Sequence, residues 1–179
     1  LASDHVHPQK KNRPLAAGRI SISFAATLSA LLLAAGLFGA WLISLPFFWS
    51  GVAFIALNVT YSFWAKNVVI LDVLTIALSF VIRAYAGAFA IDVPASTWFL
   101  INTLLLALFL SLGKRRHELL FLEQAALAHR KTLIKYSPAL LDHMLSVVTA
   151  AVLVIYILYT FSTEGIHKLG TDKLFVTIP

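Results

Sequence analysis

Five long apolar runs constrain the fold of this chain more than any other feature of its sequence. They lie at about 20–43, 47–65, 68–91, 97–112 and 139–162, close to the roughly 17–25 residues that a helix needs to cross a bilayer. Hydrophobic side chains make up 60% of the 179 residues, and Asp, Glu, Lys and Arg only 12%. The charged share in soluble domains is ~25%. A soluble domain of this size could not bury so much apolar surface, so we predict an all-α, polytopic integral membrane helix bundle.

The apolar runs divide the chain into segments of a single membrane domain. We predict a cytoplasmic loop over 1–19, four transmembrane helices over 20–112, a basic and amphipathic loop over 113–138, a fifth transmembrane helix over 139–162 and a tail over 163–179. The tail turns apolar again at LFVTIP, and the chain starts on Leu1 rather than Met. The charged stretch that follows Leu1 contains two prolines and is not a signal peptide. We therefore expect an incomplete domain, with a further helix after the tail.

Basic residues predict which way the spans point. The segments on one side of the predicted membrane carry eleven of them: Lys10, Lys11, Arg13, Arg19, Lys66, Lys114, Arg115, Arg116, Arg130, Lys131 and Lys135. The short links on the other side carry none, and the tail carries two. Because Lys and Arg are enriched in cytoplasmic loops, these loops are predicted to face the cytoplasm and the tail to face outward.

Several kinds of functional site are missing from the sequence. The chain has no cysteine, which excludes disulfides, thiolate metal sites and cysteine nucleophiles. Its six histidines show neither HxxxH nor HExxH spacing, so a zinc site is not expected, and there is no P-loop or GxSxG motif. No nucleic-acid partner is expected, and the sequence identifies no protein partner.

The opening loop combines an acid, several cations and two prolines. Asp4 lies three residues before His7, and Lys10 and Arg13 follow at three-residue steps. The prolines prevent a continuous helix here. A carboxylate beside hydrogen-bond donors suits a phosphate bridged by Mg²⁺. The alternative is a juxtamembrane segment attracted to anionic lipid, where each Lys or Arg contributes roughly 1 kcal/mol.

The loop after the fourth span opens with GKRRHE at 113–118, three cations and a carboxylate at the end of a span. Lys114 and Glu118 are four residues apart and would share one face of a helix. This pattern predicts a second polyanion-binding patch on the same membrane face as the opening loop. The alternative is an interfacial amphipathic helix. Its lipid-facing leucines would be Leu119, Leu120, Leu122, Leu127 and Leu133.

Two ionisable residues lie inside the third span. Asp72 and Arg83 are eleven residues apart, which places them on one helix face with a separation of roughly 16 Å. Ionisable residues in spans usually face the bundle interior or a wet cavity. Asp72 is expected near the cytoplasmic cavity, with an ion pair to Lys66 or a neighbouring span as the alternative. Arg83 is deeper and is expected to pair with an adjacent or absent helix, and Asn102 to hydrogen-bond between helices.

Four segments together resemble the UbiA-type prenyltransferase superfamily. They are DxxHPxKKxRPLAAG at 4–18, YSFWAK at 61–66 followed by DV at 72–73, RAYAGAFA at 83–90 and GKRRHE at 113–118. Within the superfamily, the resemblance is strongest to the branch that transfers phosphoribose to decaprenyl phosphate. It implies nine transmembrane helices around a cavity open to the cytoplasm, in the inner (plasma) membrane of a bacterium. The five spans would be the third to the seventh, and Asp4 the last acid of a longer Asp-rich motif.

The resemblance also implies a Mg²⁺-dependent transferase. Its substrates would be 5-phosphoribosyl 1-diphosphate and a polyprenyl (decaprenyl) phosphate whose tail lies in a lipid-facing groove. Its product would be a precursor of arabinan-type cell-envelope sugars. Asp4 would be the metal ligand and, with Lys66 and Lys114, a catalytic residue. The other residues that the resemblance assigns would bind substrate: His7, Lys10, Arg13, Tyr61, Asp72, Arg83, Arg115 and Glu118.

The sequence departs from the superfamily at GKRRHE, where ordinary members carry a second acidic motif, DxxxD. Cations there suit a substrate set with a separate phosphate, which favours phosphoribosyl transfer over prenylation of an aromatic ring in quinone or haem synthesis. A second alternative is a transporter or lipid-binding module without chemistry. That alternative predicts polar residues along the middle of the spans, where this chain has few.

Overall fold

The computed structural model describes residues 14, 15, 17–121 and 136–169, and all regular secondary structure in these ranges is helical. The long helices are α1 (Ile22–Ile43), α2 (Leu45–Phe63), α3 (Leu71–Ala90), α4 (Thr97–Phe121) and α5 (Pro138–Thr160). A 3₁₀ turn at Ala65–Asn67 joins α2 to α3, and a short helix α6 (Thr163–Leu169) follows α5.

All five long helices are long and apolar enough to cross a membrane. The prediction of an all-α, polytopic membrane bundle is therefore confirmed. Each long helix packs chiefly against its neighbours in the sequence, so the five form a consecutive series from α1 to α5. Short connections favour such packing of sequence neighbours.

Serine residues define several of the helix starts. The hydroxyls of Ser21, Ser44 and Ser137 each accept a hydrogen bond from the backbone N–H of the residue three positions later, which caps α1, α2 and α5. Serine is among the preferred N-cap residues because its oxygen satisfies a free N–H of the first turn. Pro138 follows Ser137 at the start of α5, where its lack of an N–H costs nothing.

Helix α4 extends beyond the fourth predicted span. The apolar run ends near 112, but the helix continues to Phe121, so GKRRHE forms its last turns rather than the start of a loop. Lys, Arg, Glu and Leu all favour helix, and one glycine does not break it. Hydropathy locates the edge of the membrane, whereas helix propensity and tertiary contacts decide where the helix ends.

The connection between α2 and α3 contains a strained residue. Ile70 has φ 70° and ψ −44°, close to the classic γ-turn, and no side chain caps the start of α3 that it precedes. A β-branched residue is a genuine outlier at positive φ. Such a conformation costs on the order of 1–3 kcal/mol and persists only where the surroundings hold it.

The most buried part of the structure is where the start of α3, the end of α4 and the start of α5 meet. Its core consists of Val73, Leu112, Tyr136 and Leu141, none more than 4% exposed. Many of the other large apolar side chains of the five helices are exposed, as expected of surfaces that face lipid or further helices. The end of the bundle that carries Lys66, Asp72 and GKRRHE, here called the polar end, is therefore also its best-packed end.

The continuity of α4 can be tested at Gly113. A Cβ added there meets no atom within 4 Å, so Gly113→Ala should stabilise the helix by about 1 kcal/mol, the usual difference between the two residues. Thermal unfolding of the detergent-solubilised chain measures the change. Gly18→Ala is the control, because Gly18 has φ 69° and alanine would be strained there. No gain at Gly113 would contradict a helix through GKRRHE.

Candidate active site

The central residue of the polar end is Asp72, in the first turn of α3. Its side chain is 1% exposed, and both carboxylate oxygens accept hydrogen bonds. Arg115 Nε on α4 donates to Oδ2 at 2.9 Å, and the Tyr136 hydroxyl, just before α5, donates to Oδ1 at 2.7 Å. The carboxylate thus joins three helices at one point.

Arg115 is as deeply buried as its partner. Its side chain is 2% exposed, and its Nη1 donates to Glu118 Oε2 at 2.6 Å, one turn further along α4. A buried charge is costly unless it is paired and hydrogen-bonded. Here two carboxylates share one guanidinium, and no buried side-chain N or O atom in the described ranges lacks a hydrogen bond.

Tyr136 acts as donor and acceptor at once. Its oxygen donates to Asp72 and accepts from the backbone N–H of Ile70, the strained residue, at 2.7 Å. Burial, and then the hydrogen bond to Asp72, raise the pKa of the Tyr136 phenol above its usual value. A raised pKa means that its contribution to stability is complete below the ordinary value of about 10 and is lost only at higher pH. Tyr136 therefore remains a donor at neutral pH.

A second ion pair lies next to the first but is open to solvent. Arg116 Nε donates to Asp142 Oδ1 on α5, and the two side chains are 43% and 48% exposed. Exposed pairs of this kind usually contribute little to stability. Neighbouring arginines on α4 thus make two contacts between helices, one buried and one exposed.

The structure brings several predicted site residues to this end of the bundle. Lys66 lies on the 3₁₀ turn next to Ile70, Lys114 is exposed and adjacent to Arg115, and Glu118 pairs with Arg115. Asp72 pairs with a cation of a neighbouring span, which is one of the alternatives that the sequence left open.

Tyr61 lies beside this end, between α2 and α3. It lines a small cavity of about 60 Å³ together with the polar side chains of Asn58, Thr75 and Ser79. The cavity is large enough for a few waters. Leu57 and Ile76 complete the lining, so the cavity is mixed in character, and the supporting role of Tyr61 stays a prediction.

Arg83 lies apart from the other predicted site residues. Its guanidinium stacks 4.3 Å from the ring centre of Phe80 and 5.8 Å from that of Phe54 on α2, in an apolar groove of about 370 Å³ between α1, α2 and α3. Among the described residues no carboxylate pairs with it, so the adjacent helix supplies an aromatic ring rather than a counterion. Asn102 also differs from expectation, since its amide donates to Trp98 O of its own helix.

Four predicted residues lie outside the described ranges: Asp4, His7, Lys10 and Arg13. Within those ranges no three His, Cys, Asp or Glu side chains come together to hold a metal ion, and both oxygens of Asp72 are engaged. The described residues alone therefore do not fit a Mg²⁺ site, and the metal prediction depends on Asp4.

Sequence reasoning missed Tyr136 and Asp142. Both lie far along the chain from their partners, and nothing in the local spacing links them to Asp72 or Arg116. The available signal was indirect: Tyr136 stands immediately before a Ser-Pro helix start on the basic side of the predicted membrane. That position puts a long side chain with a polar tip at the rim of the bundle.

The two ion pairs can be compared by single substitutions. Asp72→Asn removes a buried charge and leaves Arg115 with one carboxylate, so we expect a loss of about 3 kcal/mol in the free energy of unfolding. Asp142→Asn removes the exposed partner of Arg116, which lies beside Arg115 on α4, and should change stability little. Thermal unfolding in detergent or nanodiscs measures both. Equal losses would contradict the assignment of Asp72 as the buried anchor.

Comparison with known proteins relates this geometry to a family. The UbiA prenyltransferase family matches residues 2–167. The chain is 34% identical over 171 residues to a decaprenyl-phosphate phosphoribosyltransferase of Mycolicibacterium smegmatis, covering 96% of the chain and 54% of that protein. For proteins of the same name, the identity is 32% in Mycobacterium tuberculosis (92% and 55% covered) and 31% in Corynebacterium glutamicum (90% and 49% covered). The chain spans about half the length of these curated relatives. It belongs to the UbiA prenyltransferase family of integral membrane proteins.

Proposed function

We propose that this chain contributes to a Mg²⁺-dependent transferase that moves 5-phosphoribose from 5-phosphoribosyl 1-diphosphate to a polyprenyl phosphate such as decaprenyl phosphate. The observation that carries the proposal is the cationic end of α4, which is helical and fixed to α3 through the buried Arg115–Asp72 pair. The three relatives described above are decaprenyl-phosphate phosphoribosyltransferases by name, which supports the same reaction.

The exposed cations suit two phosphate-bearing substrates. Lys114 and Lys66 are both exposed. The contact of Arg115 with Asp72 fixes the part of α4 that carries Lys114, and the contact of Tyr136 with Ile70 fixes the turn that carries Lys66, at the same end of the bundle. Lysine binds phosphate as a flexible point charge. We therefore assign phosphate binding to Lys66 and Lys114. The burial of Arg115 favours a role in positioning α4 over direct contact with substrate.

The proposed reaction is a single displacement at the anomeric carbon. A phosphate oxygen of the lipid forms a bond to that carbon, and the bond from the carbon to the diphosphate breaks, so the electron pair leaves with diphosphate. Catalysis then depends on holding the two substrates in line and on neutralising the leaving group. Lys66 and Lys114 supply positive charge for this. Asp4 would hold Mg²⁺, which when bound would neutralise charge on the leaving diphosphate.

Family membership alone would also allow transfer of a prenyl group to an aromatic acceptor. The cationic end of α4 is what favours the phosphoribosyl reaction, because GKRRHE provides one carboxylate, which is already paired with Arg115. The reaction would take place at the cytoplasmic face of the inner membrane, and its product would feed the synthesis of arabinan-type envelope sugars.

The proposal is tested in membranes that contain the full-length protein. With ribose-labelled 5-phosphoribosyl 1-diphosphate, Mg²⁺ and decaprenyl phosphate, label should enter the organic phase only when the lipid is present. Lys114→Ala should lower kcat/KM roughly 10- to 100-fold, the cost of one charge-assisted hydrogen bond. Arg116→Ala is the matched control two residues away, because Arg116 pairs with Asp142, and it should retain activity.

Two outcomes would contradict the proposal. Transfer of a prenyl group from a prenyl diphosphate to an aromatic acid, with no lipid-linked ribose, would replace it with the aromatic reaction. Equal losses in Lys114→Ala and Arg116→Ala would mean that Lys114 has no specific part in the site. Asp4→Asn should raise the Mg²⁺ concentration needed for half-maximal turnover, because the metal loses one carboxylate ligand.

A further inference from the structure

The strained turn at Ile70 is held by a residue that is distant in the sequence. The N–H of Ile70 donates to the Tyr136 hydroxyl, 66 residues further along the chain. No side chain of the turn caps α3, so the hydroxyl of another element satisfies the backbone there. A backbone conformation this unfavourable for isoleucine persists only when a tertiary contact, here the hydrogen bond to Tyr136, stabilises it.

The same hydroxyl also ties this turn to α4. It donates to Asp72 Oδ1, while Asp72 Oδ2 accepts from Arg115, and Arg115 is adjacent to Lys114. One oxygen atom thus links the turn that carries Lys66 to the helix end that carries Lys114. Every bond in this chain of contacts is between 2.7 and 2.9 Å, and the three side chains involved are at most 4% exposed.

We propose that Tyr136 is a positioning residue whose hydroxyl sets the place of Lys66 relative to Lys114. The consequence of this positioning for substrate binding rests on the proposed function. Two lysines held at a fixed separation can bind two phosphate groups of the substrates at the same time. When the Tyr136 hydroxyl is removed, the Ile70 turn relaxes to a different conformation. Lys66 then no longer contributes to the binding of 5-phosphoribosyl 1-diphosphate.

Tyr136→Phe separates this role from packing. The ring of Tyr136 belongs to the core with Val73, Leu112 and Leu141, and phenylalanine retains that ring. Only the hydroxyl, with its two hydrogen bonds, is lost.

The first test does not depend on catalysis. Because the chain has no cysteine, a single thiol can be introduced without background. Lys66→Cys places it on the turn, and Val93→Cys places a control at the other end of α3, beyond Ala90. In detergent micelles, where both ends of α3 meet water, we expect Tyr136→Phe to raise the rate of labelling by a water-soluble maleimide at least threefold at residue 66 and to leave it unchanged at residue 93. No change at residue 66, or an equal rise at both positions, would overturn the proposal.

The second test asks whether Tyr136 acts through Lys66. The KM for 5-phosphoribosyl 1-diphosphate is measured for the full-length protein with Lys66→Ala, with Tyr136→Phe and with both. If Tyr136 acts through Lys66, each single variant raises KM at least fivefold, and the double variant lies within twofold of Lys66→Ala alone. Effects that multiply would overturn the proposal, since they would indicate independent roles.

The two tests separate a failure of this inference from a failure of the proposed function. If the labelling rate rises at residue 66 but no variant transfers phosphoribose, the proposed reaction is wrong and the positioning of the turn by Tyr136 stands. If phosphoribosyl transfer occurs but the labelling rate stays constant, the reaction stands and the positioning role is wrong.

Discussion

The buried ion pair between Asp72 and Arg115 is the interaction on which the rest of the polar end depends. Two charges removed from water at the end of a membrane bundle are tolerated only with good geometry and satisfied hydrogen bonds. Here Glu118 and Tyr136 complete the hydrogen bonds of the pair. Asp72 lies on α3, Arg115 and Glu118 lie on α4, and Tyr136 directly precedes α5, so the network connects all three helices. The best-packed apolar residues surround the same point, so packing and electrostatics fix one arrangement together.

This arrangement divides four basic residues at this end of the bundle into two groups. Arg115 is buried and connects α4 to α3 through Asp72, and Arg116 forms an exposed ion pair with Asp142 on α5. Lys66 and Lys114 are the exposed cations whose backbones are tied to the network, one through the strained turn at Ile70 and the other through α4. Transfer between two phosphate-bearing substrates, as proposed above, would need this combination of a rigid frame and exposed positive charge.

The fold was largely predictable from the sequence, and the site only partly. Apolar runs located all five membrane helices, and charge placed the polar residues at one face, because both signals are local. The sequence could not show that Arg115 points inward while Lys114 next to it points outward, since that depends on how α4 rotates against α3. Nor could it find Tyr136, whose partners are 64 and 66 residues away, or the aromatic surroundings of Arg83.

The most direct test of this account is a structure of the full-length protein with 5-phosphoribosyl 1-diphosphate bound, at a resolution that shows side-chain contacts. The account predicts that Arg115 Nε remains on Asp72 and that the phosphates lie against Lys66 and Lys114. Arg115 turned away from Asp72 and bound to a phosphate would contradict it, because the buried pair would then be a resting contact and not the frame of the site.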